Sequence, residues 1–410
     1  MRRVVVTGMS GISPLGNDWE TIERRLRAGE SGVTTLPRYD EFDGLKTKLA
    51  GKVEEGPLPA HYDRKRLRGM SRGALLAVRA SEAALAQARL LDRPDLADRI
   101  GVAYGSCLGG AEMLMRLGGA WSQKNTRGIL ASSYVQVLSH CCAANVSLFF
   151  HLRGRMYPTC SACTSGSQAI GYSYESIRSG YTDVMVAGGA EELCVGLTGL
   201  FDAMGAASTK NEAPSTNPRP FDSDRDGLVV SEGAGTIVLE ALDHAQSRGV
   251  PILAEVVGFG TNCDGSHITN PEPMQMRRAM EMALTDARLS PSSIGYVHAH
   301  ATGTELGDIA ESQATAALFG NGTPVGATKS FQGHTLGATG ALETWLTLEM
   351  QRSRWFAPIK NLENVDPRCG DLDYLRGAGR SIDTEHVMVN NFAFGGVNTS
   401  LIFRAFPISN

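Results

Sequence analysis

No run of apolar residues in this chain approaches the roughly 18 that a membrane-spanning helix needs. That excludes an ordinary helical span. Nor is there an excess of positive charge: 39 Lys and Arg stand against 43 Asp and Glu, a net charge of −4, which argues against a nucleic-acid partner. A secretory leader is missing too. After Met1 come two arginines and three valines before Thr7 and Gly8, a pattern that reads as a first strand. The eight cysteines fall at irregular spacings, so they form no disulfide framework and point to a reducing, cytoplasmic setting.

What is present is material for a large core. At 410 residues and 42% hydrophobic content, the chain divides naturally into two domains or two fused halves. The pattern predicts strands at Val4–Thr7, Gly101–Tyr104, Asp183–Ala187, Thr236–Leu239, Ala254–Phe259, Tyr296–His298 and Val387–Asn390. Helices are predicted at Arg72–Arg89, Ser167–Arg178, Gln275–Ala287, Ile309–Leu318 and Gly340–Gln351. Such alternation implies buried, mainly parallel sheets. The halves echo each other loosely, with Val184-Met185-Val186 in one and Val387-Met388-Val389 in the other. The stretch Ser208–Gly227 reads as surface loop, its Asp and Arg residues forming turns and caps.

Chemistry concentrates at element ends, where α/β proteins build their sites. Cys163, in Ser161-Ala162-Cys163-Thr164-Ser165-Gly166, opens a helix whose apolar residues include Ala169, Ile170, Tyr174 and Ile177. A helix N-terminus favours the thiolate and lowers the thiol pKa. His300 follows a strand and precedes a Gly/Thr-rich turn; His334 ends the loop Thr328–Gly333, ahead of a helix beginning near Leu336. Other histidines, among them His61, His140, His151, His244 and His386, read as core or surface groups.

The segments Ser161–Gly166, His298–Thr304, Thr328–Ala341 and Asn390–Ser400 resemble the four signature blocks of the β-ketoacyl-acyl-carrier-protein synthases of the Cys-His-His type. They occur in the family's order, and the likeness runs from Arg3 to Phe403. Glu191–Cys194 and Phe201–Ala206 lean toward the elongating synthases, and the text around Cys163 and Asp308 is most similar to ketosynthases of bacterial aryl-polyene pathways. The C-x-x-C of Cys160 and Cys163 fits this block better than a redox motif.

The resemblance implies a thiolase-type fold, duplicated α/β halves in a five-layer αβαβα arrangement. The halves would be residues 1–250, with the nucleophile, and 251–410, with both histidines, joined near Arg248–Ile252. It implies decarboxylative condensation of malonyl-carrier with an acyl group on Cys163, the oxyanion held by the backbone N–H groups of Cys163 and Phe394. His300 and His334 would donate to the enolate, Lys329 would organise the charges, and Asp308, Glu311 and Glu343 would support them. Thr302 and Thr304 would meet the pantetheine arm. Phe394 would act as an aromatic gate beside Phe392, and Leu108 would sit at the mouth of the acyl pocket. No metal or resident cofactor is implied, since the substrates ride on the phosphopantetheine of acyl carrier protein. That acidic partner would dock on Arg64, Lys65, Arg68, Lys124 and Arg127, and the enzyme would be a homodimer or pair with a paralogue.

Three positions depart from the blocks. Ala301 and Ala393 replace glycines, and His298 replaces an asparagine or similar polar residue. Alanine disfavours positive φ, so both alanines are expected in ordinary backbone regions, with Ala393 stiffening the gate. Cys163 argues against a nucleophile-free chain-length factor. His334, as second partner, argues against a thiolase (Cys-His-Cys) or an initiating synthase (Cys-His-Asn). A non-enzymatic carrier-binding scaffold is the remaining alternative.

Overall fold

The computed structural model describes residues 1–54 and 56–406. Eleven strands form one continuous sheet: β1 (Val4–Ile12), β2 (Ile100–Gly105), β3 (Met156–Thr159), β4 (Val184–Glu191), β5 (Gly233–Ala241), β6 (Ala254–Cys263), β7 (Tyr296–His298), β8 (Pro324–Gly326), β9 (Asp373–Tyr374), β10 (His386–Ala393) and β11 (Val397–Ala405). Their order across the sheet is β9-β8-β7-β10-β11-β6-β1-β5-β4-β2-β3. The two sides meet where β1 pairs with β6, Val4 opposite Val256.

Each side repeats one topology. Leaving out the short edge strand β9, both sides run first, fifth, fourth, second, third in chain order, with antiparallel, antiparallel, parallel and parallel pairings. The echoed Val-Met-Val triplets fall on β4 and β10, the fourth strand of each. Parallel pairing was expected to dominate, yet the ten junctions divide into five parallel and five antiparallel. Parallel neighbours need a crossover, whereas β10 turns straight back into β11 through residues 394–396 and must pair antiparallel. β11 escaped the sequence reading because Asn398, Thr399 and Ser400 interrupt its apolar run, although all three are buried.

Five helices match their expected spans to within four residues at either end: α1 (Arg72–Gln87), α2 (Ser165–Arg178), α3 (Pro273–Ala287), α4 (Glu305–Phe319) and α5 (Thr339–Ser353). α1 covers one side of the sheet against β1, β4 and β5, and α3 covers the other against β6 and β11, with α4 packed on it. α2 and α5 pack on each other between the two sides. The result is the five-layer, duplicated α/β arrangement of the thiolase fold. Buried aliphatic side chains such as Ile170, Ile237, Leu342 and Leu401 fill the central layer.

Two glycines let the central helices meet at their N-termini. A Cβ on Gly166 would lie 2.8 Å from the Ala341 nitrogen, and one on Gly340 would lie 2.4 Å from the Ser167 nitrogen. This close approach brings the loops ahead of α2 and α5 together. The loop before α5 is itself partly helical: Lys329–Gln332 form a short turn, and Leu336–Ala338 a 3₁₀ turn that runs into α5.

The Ser208–Gly227 stretch is less superficial than expected. Asp222 is fully buried and accepts from the Glu363 and Asn364 N–H groups at 2.8 Å each. Arg225 is nearly buried and paired with Asp366 at 2.8 Å. Charges of this kind are retained inside only when partnered, and here they bind the segment to the loop between α5 and β9.

Candidate active site

Cys163 sits on a tight elbow between β3 and α2. Ala162 adopts φ +50, the left-handed region that L-residues rarely occupy. The Ser165 hydroxyl donates to the Ala162 carbonyl at 2.7 Å and accepts from the Ser161 N–H at 2.9 Å. Cys163 thus lies two residues ahead of the first residue of α2, near the positive end of its dipole. That proximity does not make a free thiolate. Burial pushes the thiol pKa up to about 12, with the Lys329 charge pulling the other way, so the sequence expectation of a lowered pKa is overturned by desolvation.

His334 places Nε2 3.0 Å from the Cys163 sulfur. Its other ring nitrogen settles the tautomer. The Leu336 backbone N–H, which can only donate, points at Nδ1 from 3.3 Å, and the Thr339 hydroxyl lies 2.9 Å from the same atom. Nδ1 is therefore an acceptor and the proton resides on Nε2. The main chain is pinned as well, the His334 N–H donating to the Val229 carbonyl at 2.7 Å.

His300 stands edge-on to His334, ring centres 5.1 Å apart at 85°. The Lys329 ammonium lies 3.2 Å from its Nδ1 and also donates to its carbonyl, which again leaves the proton on Nε2. Both imidazoles are held well below the usual histidine range, by burial first and by Lys329 second. Both are neutral donors. The sulfur and the two histidines offer ligand atoms within 4.8 Å of one another, but protonated Nε2 atoms present N–H groups rather than lone pairs. Such a set suits a developing oxyanion better than a metal ion.

Lys329 is 1% exposed and ion-paired with Glu343 at 2.6 Å. The second Glu343 oxygen accepts from Asn391 at 3.0 Å. Glu311 takes the backbone N–H groups of His300 and Ala301 at 2.6 and 2.7 Å. Asp308 takes those of Gly303 and Phe221 at 3.1 and 2.7 Å. Ala301 does not lie in an ordinary region: its φ is +46. The Glu311 clamp holds it there against a cost of roughly 1–2 kcal/mol. Ala393 is ordinary, as expected, and the positive φ values fall on Gly395 and Gly396.

A cavity of about 410 Å³ opens over the cluster, walled by Cys163, His300, His334, Thr302, Thr304, Phe392 and Phe394 among others. The Thr302 and Thr304 hydroxyls are 2.9 Å apart. The half-buried Phe394 ring lies 6.0 Å from Phe201. Leu108 is not on this wall; it packs in an apolar cluster with Leu336, Leu228 and Phe201, of which Leu228 and Phe201 reach the cavity. The basic residues Arg64, Lys65, Arg68, Lys124 and Arg127 are all exposed. Gln136 donates to the carbonyls of Arg68 and Met70, tying the first group to the helix that follows the second.

Two members of the site carried no assigned role in the sequence reading. Glu191, at the end of β4, accepts from the Cys107 and Gly337 N–H groups at 2.7 and 3.1 Å and so joins the loop after β2 to the turn before α5. Asn391 was visible only as part of a signature block. A buried carboxylate ending an apolar strand was the available signal for Glu191.

Residues 1–245 match the Beta-ketoacyl synthase, N-terminal domain, and residues 253–363 the Beta-ketoacyl synthase, C-terminal domain. The chain belongs to the β-ketoacyl synthase family, the class that the fold and the Cys-His-His cluster define. A Vibrio cholerae protein named 3-oxoacyl-[acyl-carrier-protein] synthase 2 is 38% identical over 98% of this chain and 99% of its own. The crystal structure of a beta-ketoacyl synthase from Burkholderia phymatum is 52% identical with a TM-score of 0.97, covering 99% of this chain and all of that one. A type II polyketide ketosynthase, solved in complex with its acyl-carrier protein and bound to a hexaketide, is 30% identical with a TM-score of 0.89, covering 99% and 100%.

Because the thiol is raised to about 12, alkylation of Cys163 by iodoacetamide should climb about tenfold per pH unit from pH 7 to 10. Mass spectrometry of the Cys163 peptide reads this directly, and a plateau near neutrality would contradict it.

Proposed function

We propose that the chain is an elongating β-ketoacyl-acyl-carrier-protein synthase, an acyltransferase that condenses malonyl-carrier with an acyl group held on Cys163. The observation that carries this is a thiol 3.0 Å from His334 Nε2, with a second neutral imidazole edge-on beside it, both at the floor of one cavity.

The first half-reaction is thioester exchange. The Cys163 sulfur attacks the acyl carbonyl, the bond to the pantetheine sulfur breaks, and the thiol proton ends on that departing sulfur. The His334 N–H and the α2 dipole favour the thiolate as it forms. Backbone N–H groups of Cys163 and Phe394 are the proposed oxyanion donors, each worth on the order of 3 kcal/mol. In the second half-reaction malonyl-carrier loses carbon dioxide, and the electron pair becomes an enolate whose oxygen accepts from His300 and His334. Its carbon then attacks the Cys163 thioester, forming the carbon–carbon bond and expelling the thiolate, which takes up a proton.

Lys329 and Glu343 position His300, while Asp308 and Glu311 position the loop bearing it. Thr302 and Thr304 meet the pantetheine arm, with Phe392 beside them. Phe394 swings against Phe201 as the gate, the glycines after it supplying the hinge. The two halves, 1–250 and 251–410, supply nucleophile and donors respectively. Acyl carrier protein, acidic around its modified serine, docks on Arg64, Lys65, Arg68, Lys124 and Arg127 beside the tunnel to Cys163, and Leu108 belongs to the mouth of the acyl pocket. The exposed edge strand β3 and the exposed Trp121, Leu130 and Tyr134 support a dimer, with a second copy or with a paralogue. We read the setting as cytoplasmic and the acyl chain as that of a fatty-acid or aryl-polyene pathway.

Cys163→Gln should abolish condensation yet retain decarboxylation of malonyl-carrier, while His300→Ala or His334→Ala should impair decarboxylation most. Elongation by Cys163→Ala would refute the nucleophile, and absence of decarboxylation by the purified chain would leave only a carrier-binding scaffold. If the chain serves aryl polyenes, rigid unsaturated acyl groups should load faster than saturated ones of equal length; equal rates in a loading assay would return it to general elongation. Reversing Lys65 and Arg68 to glutamate should raise KM for carrier-bound substrate and spare a small free thioester, because rim charges act mainly on association. Equal loss with both substrates would displace the docking site.

A further inference from the structure

One buried histidine takes no part in the reaction above. His298 ends β7 two residues before His300 and is fully buried. Its Nε2 lies 3.2 Å from the hydroxyl of Thr328, the residue preceding Lys329. Its Nδ1 lies 4.0 Å from Glu343 Oε2 and has no hydrogen-bond partner among the described residues. The ring therefore bonds one end of the arm that holds Lys329 against His300, Thr328 at the root of the lysine, and lies beside the other, the carboxylate on which its ammonium rests. Burial, and then the Lys329 charge, bring its pKa down to about 3, so it is a neutral imidazole able to offer either an N–H or a lone pair at Nδ1.

We propose that His298 is a positioning residue whose Nδ1–H faces Glu343 Oε2 and keeps that carboxyl ionised, so that Lys329 stays anchored and His300 keeps its proton on Nε2. The proposal rests on His300 being the enolate donor. The groups facing Glu343 are Lys329, His298 and Asn391, with Tyr296 and the Cys163 thiol at longer range. Burial raises Glu343 to about 7 against the pull of Lys329. Its carboxylate is thus present above that pH and lost as pH falls through it. An N–H donor favours the charged form, so removing the donor raises the Glu343 pKa and moves the acid limb of activity upward.

The test is malonyl-carrier decarboxylation by the full chain from pH 5.5 to 9. His298→Phe should shift the acid limb upward by about one pH unit, with kcat reduced about tenfold at pH 6, little change near pH 9, and KM unaltered. His298→Asn, which restores an N–H, should return the limb toward that of the parent. A limb that stays in place, a loss equal at every pH, or an Asn variant indistinguishable from Phe would overturn the proposal. Should His298→Phe fail to fold, Glu343→Gln decides: it must abolish the acid limb, and persistence of the limb overturns the idea. Full decarboxylation by His300→Ala would instead remove the His300 assignment, an outcome independent of the limb.

Discussion

An ammonium and a carboxylate buried together, Lys329 and Glu343 at 2.6 Å, set the terms for everything around them. Desolvating such a pair is expensive, and it persists only where the remaining hydrogen-bonding capacity is used. Here Asn391 takes the second carboxylate oxygen, while His300 receives the rest of the lysine's donors through its ring and carbonyl. One charge thereby fixes a tautomer, depresses three imidazole pKa values and moderates the rise of a thiol. Replacing the pair by apolar side chains of equal volume would suit the core well enough, but it would leave His300 free to put its proton on the wrong nitrogen.

Backbone strain gathers around the same point. Ala162, Ala301 and Leu336 adopt φ values of +50, +46 and +48, each within two residues of Cys163, His300 or His334. Strain of this sort survives only where the surroundings over-determine it. The Ser165 hydroxyl, the Glu311 carboxylate and the ring of His334 supply that determination in turn. At Ala301 the carboxylate clamp does what a glycine would do without assistance.

Much of this was legible in the sequence. Five helices and the strands β1, β2, β4, β5, β6, β7 and β10 announced themselves by period, and Cys163, His300, His334 and Lys329 by signature spacing; all four converge in space. The failures have physical causes. Strand direction depends on connection length, which apolar runs do not encode, so the antiparallel middle of the sheet was missed. The thiol pKa is a contest between a dipole, visible from position, and desolvation, which requires the packed fold. Arg225 and Asp222 looked like loop residues because their partners, Asp366 and the Glu363 and Asn364 amides, lie some 140 positions away.

The repeated sheet order makes particular residues equivalent. Cys163 follows the third strand of the first half and precedes its central helix; His334 follows the third strand of the second half and precedes the other central helix. Likewise the loop after β2, with Cys107 and Leu108, corresponds to the loop after β7, with His300. Cys163 and His334 thus occupy the same place in two copies of one unit, brought face to face by a quasi-twofold relation. The proposed chemistry would then arise from divergence at matched positions: one copy specialised in carrying the acyl group, its twin in quieting negative charge.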